Sequence, residues 1–152
     1  MDYRARISVF GGRKISNENY NNAYNLGRLL NKNKYPVYCG GGEGVMEAVA
    51  KGIQESGGEC IGILKGLSTD EMNSYIDIPI VTNMCITRNA LLAYSCDAAV
   101  AISGQYGTLS EIAYALQLEK SVIGLGTWEI DGVINASDEE EIIKKLNETF
   151  KK

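Results

Sequence analysis

The sequence predicts an α/β protein built as an open parallel sheet with helices on both faces, and three observations predict it. Short apolar runs alternate with segments whose apolar residues recur at three- and four-residue steps, the pattern of strands alternating with amphipathic helices. The runs are apolar along their whole length, as strands buried on both faces are. Glycines gather at the ends of the runs, where strand must turn into helix. With 152 residues, 45% hydrophobic and 22% charged, the chain has the size and composition of one globular domain. Residues 1–152 are therefore expected to form a single Rossmann-like unit.

Taken in order, Ile7-Ser8-Val9-Phe10 is the first strand and ends in Gly11-Gly12. Ser16 is placed to cap a helix whose stripe is Tyr20, Ala23, Tyr24, Gly27 and Leu30. Val37-Tyr38-Cys39 is a brief strand running into Gly40-Gly41-Gly42-Glu43-Gly44, and Val45, Ala48, Val49 and Ile53 mark the helix that Gly57-Gly58 stops. Cys60 to Leu64 is strand-like, Lys65 to Asp77 is the longest loop, Ile78 to Val81 is extended and contains Pro79, and Met84 to Tyr94 reads as helix. Ala98 to Ile102 is a wholly apolar strand, ended by Ser103-Gly104-Gln105-Tyr106-Gly107 and followed by a helix predicted over Thr108 to Leu118. Val122 to Leu125 is the last strand. Ser137-Asp138-Glu139-Glu140 opens the final helix as a capping box with acids in its first turn.

Composition narrows the chemistry. There is no histidine, which excludes Ser-His-Asp and Cys-His hydrolases, a three-histidine zinc centre and a histidine proton shuttle. No metal site is expected. Fifteen Lys and Arg stand against nineteen Asp and Glu, a net charge of −4, so the global field does not favour nucleic acid and any anionic ligand must be held locally. No apolar run suits a signal peptide or a membrane span. The four cysteines, at 39, 60, 85 and 96, form no CxxC pair and read as reduced thiols, so a cytoplasmic protein without membrane partners is expected.

Glycine makes up 17 of the residues. Ten of these, at 11, 12, 40, 41, 42, 44, 104, 107, 124 and 126, lie at or just beyond the C-terminal ends of the proposed strands, the edge where open parallel sheets bind ligands. The 40–44 loop is not a dinucleotide fingerprint, because Val45 stands where GxGxxG needs its last glycine, and no Walker motif occurs. What remains is backbone N–H groups at helix starts, a phosphate cradle that needs no cationic side chain. Gly11, Gly12, Gly41, Gly42, Glu43, Gly44, Gly104, Gln105, Tyr106, Gly107 and Thr108 are the candidate phosphate-binding residues.

Two side chains are the candidates for chemistry. Glu111 has two readings: Thr108-Leu109-Ser110-Glu111 fits a capping box in which it bonds back to Thr108, or it presents a carboxylate to the ligand. Arg88 adjoins the buried stripe of Leu91 and Leu92 and needs either a structural carboxylate or a ligand anion. Arg13 reads as solvated, and Cys39 as a small buried hydrophobe beside the glycine loop.

Taken together, Val9-Phe10-Gly11-Gly12, Gly40-Gly41-Gly42-Glu43-Gly44-Val45-Met46-Glu47-Ala48, Met84 with Arg88-Asn89, and Gly104-Gln105-Tyr106-Gly107-Thr108-Leu109-Ser110-Glu111 resemble the LOG-type superfamily. Its members have been labelled lysine decarboxylases and include cytokinin riboside 5′-monophosphate phosphoribohydrolases and molybdenum cofactor carrier proteins. Residues 76–82 and 124–128 look closer to the carrier branch. The resemblance implies a homodimer or higher homo-oligomer whose cleft takes a small phosphorylated ligand, either a nucleoside monophosphate or the molybdenum cofactor. It also maps the hydrolases' catalytic pair onto Arg88 and Glu111. Ser103-Gly104-Gln105 stands where the hydrolases carry Pro-Gly-Gly, and Asn89 where they carry lysine, which favours binding over N-glycosidic hydrolysis. Pyridoxal-dependent lysine decarboxylation is rejected, because the chain is small and lacks the histidine that commonly stacks on that cofactor.

Overall fold

The structure is a computed structural model and describes residues 2–151. Seven strands are all parallel, in the order β4-β3-β2-β1-β5-β6-β7. They are β1 (Ile7–Gly11), β2 (Val37–Cys39), β3 (Cys60–Leu64), β4 (Ile78–Val81), β5 (Ala98–Ile102), β6 (Ser121–Leu125) and β7 (Val133–Asn135). The helices are α1 (Asn17–Lys32), α2 (Val45–Glu55), α3 (Arg88–Ser95), α4 (Tyr106–Gln117) and α5 (Glu139–Thr149), and Cys85–Thr87 form one 3-10 turn before α3.

The sheet grows outward from β1 to β4, and the chain then returns to the other side of β1 as β5. The neighbours β1 and β5 therefore define the switch point, where the loops after the two strands diverge and leave a crevice. Strand β5 shows how the core is built. Ala98, Val100 and Ile102 face one apolar cluster with Leu26 and Leu30 of α1, Val49 and Ile53 of α2, and Ile142 and Leu146 of α5. Ala99 and Ala101 face the other, with Leu92 and Ala93 of α3 and Ile112 and Ala115 of α4. The expectation of a sheet covered on both faces holds, and small residues on β5 let α3 and α4 sit close.

On the three-helix face, α1 and α2 touch backbone to backbone. A Cβ at Gly27 would lie 2.3 Å from the Val49 carbonyl oxygen, and one at Gly52 2.1 Å from that of Tyr24. Ser16 caps α1 as expected, its hydroxyl accepting from the Asn19 amide at 3.1 Å. In α5, Asp138 is the cap and Glu141 closes the box back onto Ser137, one residue along from the expected pairing.

Three elements differ from the sequence reading. Helix α4 begins at Tyr106, not Thr108, because Ser103 (φ 54°) and Gly104 (φ 102°) turn the chain early and leave Gln105 (φ −120°, ψ −141°) as the cap. The helix expected over Met84 to Tyr94 is broken: Cys85 has φ 50°, so a 3-10 turn precedes an α-helix that starts at Arg88. Strand β7 lies outside the sequence reading, since no glycine loop follows Val133-Ile134-Asn135 as one follows β2; its register against Val122 to Gly124 defines it.

At the far edge from the crevice, Arg6 and Asp97 tie the starts of β1 and β5. Arg6 donates from Nη2 to Asp97 Oδ1 at 2.8 Å and from its amide to Oδ2 at 2.7 Å, and the Asp97 amide returns a bond to the Arg6 carbonyl at 2.8 Å.

Candidate functional site

The crevice at the switch point is a cleft of about 870 Å³ lined by Gly11, Gly12, Gly40, Ser103, Gly104, Gln105, Gly107, Thr108, Arg88 and Glu111, with Arg13, Lys14, Lys65 and Met46. A side lobe of about 330 Å³ opens from it beneath the 64–72 segment and adds Gly41, Gly42, Leu64, Leu67, Ser68, Asp70 and Met72. The two share Arg13, Gly40, Lys65, Gly66, Glu71 and Arg88.

The loop after β5 is shaped so that its amides stay open. Its carbonyls are tied away from the cleft: Thr127 Oγ1 donates to Ser103 at 2.6 Å and Trp128 Nε1 to Gln105 at 3.0 Å. Gln105 places no side chain on the helix start. The first amide of α4 with a carbonyl partner is that of Leu109, which reaches Gln105 at 2.9 Å, so those of Tyr106, Gly107 and Thr108 have no acceptor among the described residues. An uncapped helix start of this kind is a local anion site of the sort a net negative chain requires. Gly104 cannot be replaced without breaking it, since a Cβ there would stand 2.3 Å from Thr108 Cβ at φ 102°.

Glu111 lies one turn further into α4, 7% exposed. It makes no hydrogen bond to Thr108 or to any other group among the described residues, so of its two readings the cap is not the one adopted. Burial pushes its carboxyl up to about 8; the Arg88 charge opposes that shift, and Cys39 adds to it. In the free protein at neutral pH Glu111 is therefore mostly protonated.

Arg88, 8% exposed, starts α3. No carboxylate lies within salt-bridge distance of it among the described residues, so the structural ion pair does not form. Its Nη1 instead donates to the Gly40 and Ile63 carbonyls at 2.8 and 2.7 Å, and Nε donates to Asn89 Oδ1 at 3.1 Å. Among the described residues, Nη2 has no acceptor. Burial lowers its pKa from the ordinary value, Glu111 opposes that, and Arg13 adds to it.

Two asparagines hold this geometry. Asn89, buried, accepts from Arg88 and donates to Ser110 Oγ at 3.1 Å, which links the guanidinium to the first turn of α4. Asn73, also buried, donates from its amide to the Gly41 carbonyl and from Nδ2 to that of Gly42, both at 2.8 Å, and so pins the glycine loop to the long 65–77 loop. Neither role has a local signal, because Ser110 lies 21 residues from Asn89 and Gly42 lies 31 from Asn73; only their polar character inside otherwise apolar or glycine-rich surroundings hints at it.

The other candidates are distributed unevenly. Gly11, Gly12, Gly104, Gln105, Gly107 and Thr108 line the main cleft, and Gly41 and Gly42 line the side lobe. Glu43 is exposed and Gly44 caps α2; neither lines a lobe. The start of α2 is partly closed, since the Val45 amide donates to the Gly12 carbonyl at 3.0 Å. Tyr106 is 80% exposed and its ring faces Trp128 at 6.3 Å rather than the cleft. Cys39 is buried in the core with its Sγ 3.9 Å from that of Cys60.

A model of the SLOG cluster4 family matches residues 4–150. The chain belongs to this family. Among solved structures, this SLOG cluster4 chain is similar to the molybdenum cofactor binding protein of Rippkaea orientalis, with TM-score 0.91 and 31% identity, covering 98% of this chain and 99% of that one. It is also similar to the molybdenum cofactor carrier protein of Chlamydomonas reinhardtii, with TM-score 0.87 and 31% identity, covering 97% and 99%. Among sequences, it is 32% identical over 140 residues to a cytokinin riboside 5′-monophosphate phosphoribohydrolase, LOG3, of Arabidopsis thaliana, covering 86% of this chain and 65% of the relative. The plant hydrolases are longer; the aligned stretch is about half of two others, at 46% and 50%. No helix among the described residues is long and apolar enough to cross a membrane, and no cluster of metal-ligating side chains occurs among them.

Proposed function

We propose that this SLOG cluster4 protein binds a small phosphorylated ligand of nucleotide or pterin type, as a carrier of the molybdenum cofactor does, with the cofactor as cargo. The observation that carries the reading is the open first turn of α4, whose Gly107 and Thr108 line the same cleft as Arg88, a guanidinium with no acceptor for Nη2 among the described residues. The phosphate lies against the amides of Gly104 to Thr108, and Arg88 and Glu111 meet the rest of the ligand. A neutral Glu111 donates a hydrogen bond as well as accepting one, which suits a heterocycle with ring nitrogens. Likeness over nearly the whole length to two molybdenum cofactor proteins supports the same reading.

The experiment is loading. The protein is mixed with molybdenum cofactor released from a molybdoenzyme, separated by gel filtration, and assayed for the fluorescent oxidised pterin. One pterin per chain is expected, and none in the protein fraction would sink the carrier reading.

A second reading, release of free base and ribose 5-phosphate from a nucleoside 5′-monophosphate, is favoured by the pairing of Arg88 and Glu111 in one cleft and by the plant relatives. Water would give its hydroxyl to C1′ of the ribose and a proton to the departing base. An ionised Glu111 would stabilise the oxocarbenium-like centre between. Incubation with AMP and N6-substituted AMP tests it: base release that Glu111→Gln abolishes establishes the enzyme, and its absence leaves the carrier.

Homo-oligomer formation belongs to the same proposal and is supported by apolar side chains on open surface, among them Ile80 and Val81 of edge strand β4 and Ile86 near the cleft. Light scattering that returns the mass of one chain would contradict it.

A further inference from the structure

We infer that the cleft contains a second oxoanion subsite where Arg13 and Arg88 meet, between the main cleft and the side lobe, so that the ligand carries two oxoanionic groups rather than one. This rests on the phosphate-binding reading of α4 and extends it. Both guanidiniums lie against the same glycine loop: a Cβ at Gly40 would stand 2.9 Å from Arg88 Nη1, and one at Gly42 3.3 Å from Arg13 Nη2. Neither is neutralised. Arg13 has no hydrogen bond or ion pair among the described residues, and Arg88 has spent Nη1 and Nε on neutral acceptors, leaving Nη2. Lys65 lines both lobes as a third cation.

Two like charges brought together on a rigid loop repel until an anion sits between them, and planar forked donors suit a tetrahedral oxoanion. The loop cannot relax away from them easily, because Asn73 fastens the carbonyls of Gly41 and Gly42. Asp70 and Glu71 line the side lobe as well, but both are exposed and neither pairs with either arginine. The α4 amides are elsewhere: Gly104, Gly107 and Thr108 line the main cleft and not the side lobe. Arg88 stands where the lobes join, so a ligand with a phosphate on α4 reaches the subsite with its other end. That second group is either another phosphoryl group or the oxo-metal centre of a metal-bearing ligand; the recognition chemistry is the same.

The test is amide and arginine Nε NMR of the 15N-labelled chain, titrated with orthophosphate and then, in a fresh sample, with molybdate. Two sets of shifts are expected to saturate with separate dissociation constants, one at Gly104, Gly107 and Thr108, the other at Gly41, Gly42 and the Nε of Arg13 and Arg88. Arg13→Gln, at an exposed position, is expected to weaken the second set about tenfold and to leave the first within about twofold, as loss of one charge-assisted contact should. Tighter molybdate than phosphate binding in the second set assigns the group to an oxo-metal centre, and the reverse order to a phosphoryl group. Absence of the junction shifts, both sets saturating together with one dissociation constant, or an Arg13→Gln effect that is absent or equal on both sets, overturns the subsite. Loss of the α4 shifts with the junction shifts intact would instead contradict the phosphate-binding reading and leave the subsite standing.

Discussion

Glu111 is held in a protonation state that its sequence neighbours do not dictate. Its folded pKa is raised from 4.5 to about 8, chiefly by burial, so between those values the native state keeps a proton that the unfolded chain has released. Stability of the ligand-free protein therefore falls as pH rises through that window, by an amount on the order of a few kcal/mol. Melting curves from pH 5 to 8 are expected to show this fall, and Glu111→Gln to flatten it. A wild-type profile as flat as that of the variant would contradict a buried, unpartnered carboxyl. The two candidate residues were legible as residue types near the cleft, but their partners were not. From spacing alone Glu111 fits a cap equally well, and only the early start of α4 decides between the readings.

At the scale of elements, the start of α4 and the α1–α2 crossing both depend on missing side chains. Gly104→Ala must push aside Thr108 and hold alanine at positive φ, a strain of about 1–3 kcal/mol, and is expected to lower the melting temperature and abolish phosphate shifts at Gly107 together. Gly52→Ala drives a Cβ into the Tyr24 carbonyl and is expected to cost about as much in stability by overpacking, with phosphate binding retained, because α1 and α2 lie on the face of the sheet away from α4. Equal binding losses in the two variants would contradict that division. Most strands were readable because they are apolar throughout, and the glycine loops because they end them. The break at Cys85 and the addition of β7 were not, since a left-handed cysteine and a three-residue edge strand are imposed by tertiary contacts: the Cys85 amide donates to the Lys65 carbonyl at 2.9 Å, and β7 lies along β6.

Over the whole molecule the two edges of the sheet divide the work. The edge where strands begin is fastened by Arg6 and Asp97, and the edge where they end holds the open amides, the unpaired arginines and the neutral glutamic acid. Hydrogen bonding to Arg6 lowers the Asp97 pKa, so this contribution is present above the ordinary aspartate range and is lost as pH falls below it. The side chains are 43% and 34% exposed, which limits the pair to about 1 kcal/mol. Asp97→Asn is expected to lower the melting temperature at pH 7 by a few degrees and to leave ligand affinity unchanged; an affinity change would show the edges to be coupled. A net charge of −4 with no histidine leaves an anion to be held locally, and the fold gathers open backbone amides, Arg13, Arg88 and Lys65 at the switch point between β1 and β5. The most direct test of phosphate-anchored binding is calorimetric titration with 5′-AMP and with adenosine, which differ only in the phosphate. Saturable AMP binding with adenosine at least about tenfold weaker is the predicted result; equal affinity for the two, or no binding of either, would contradict it.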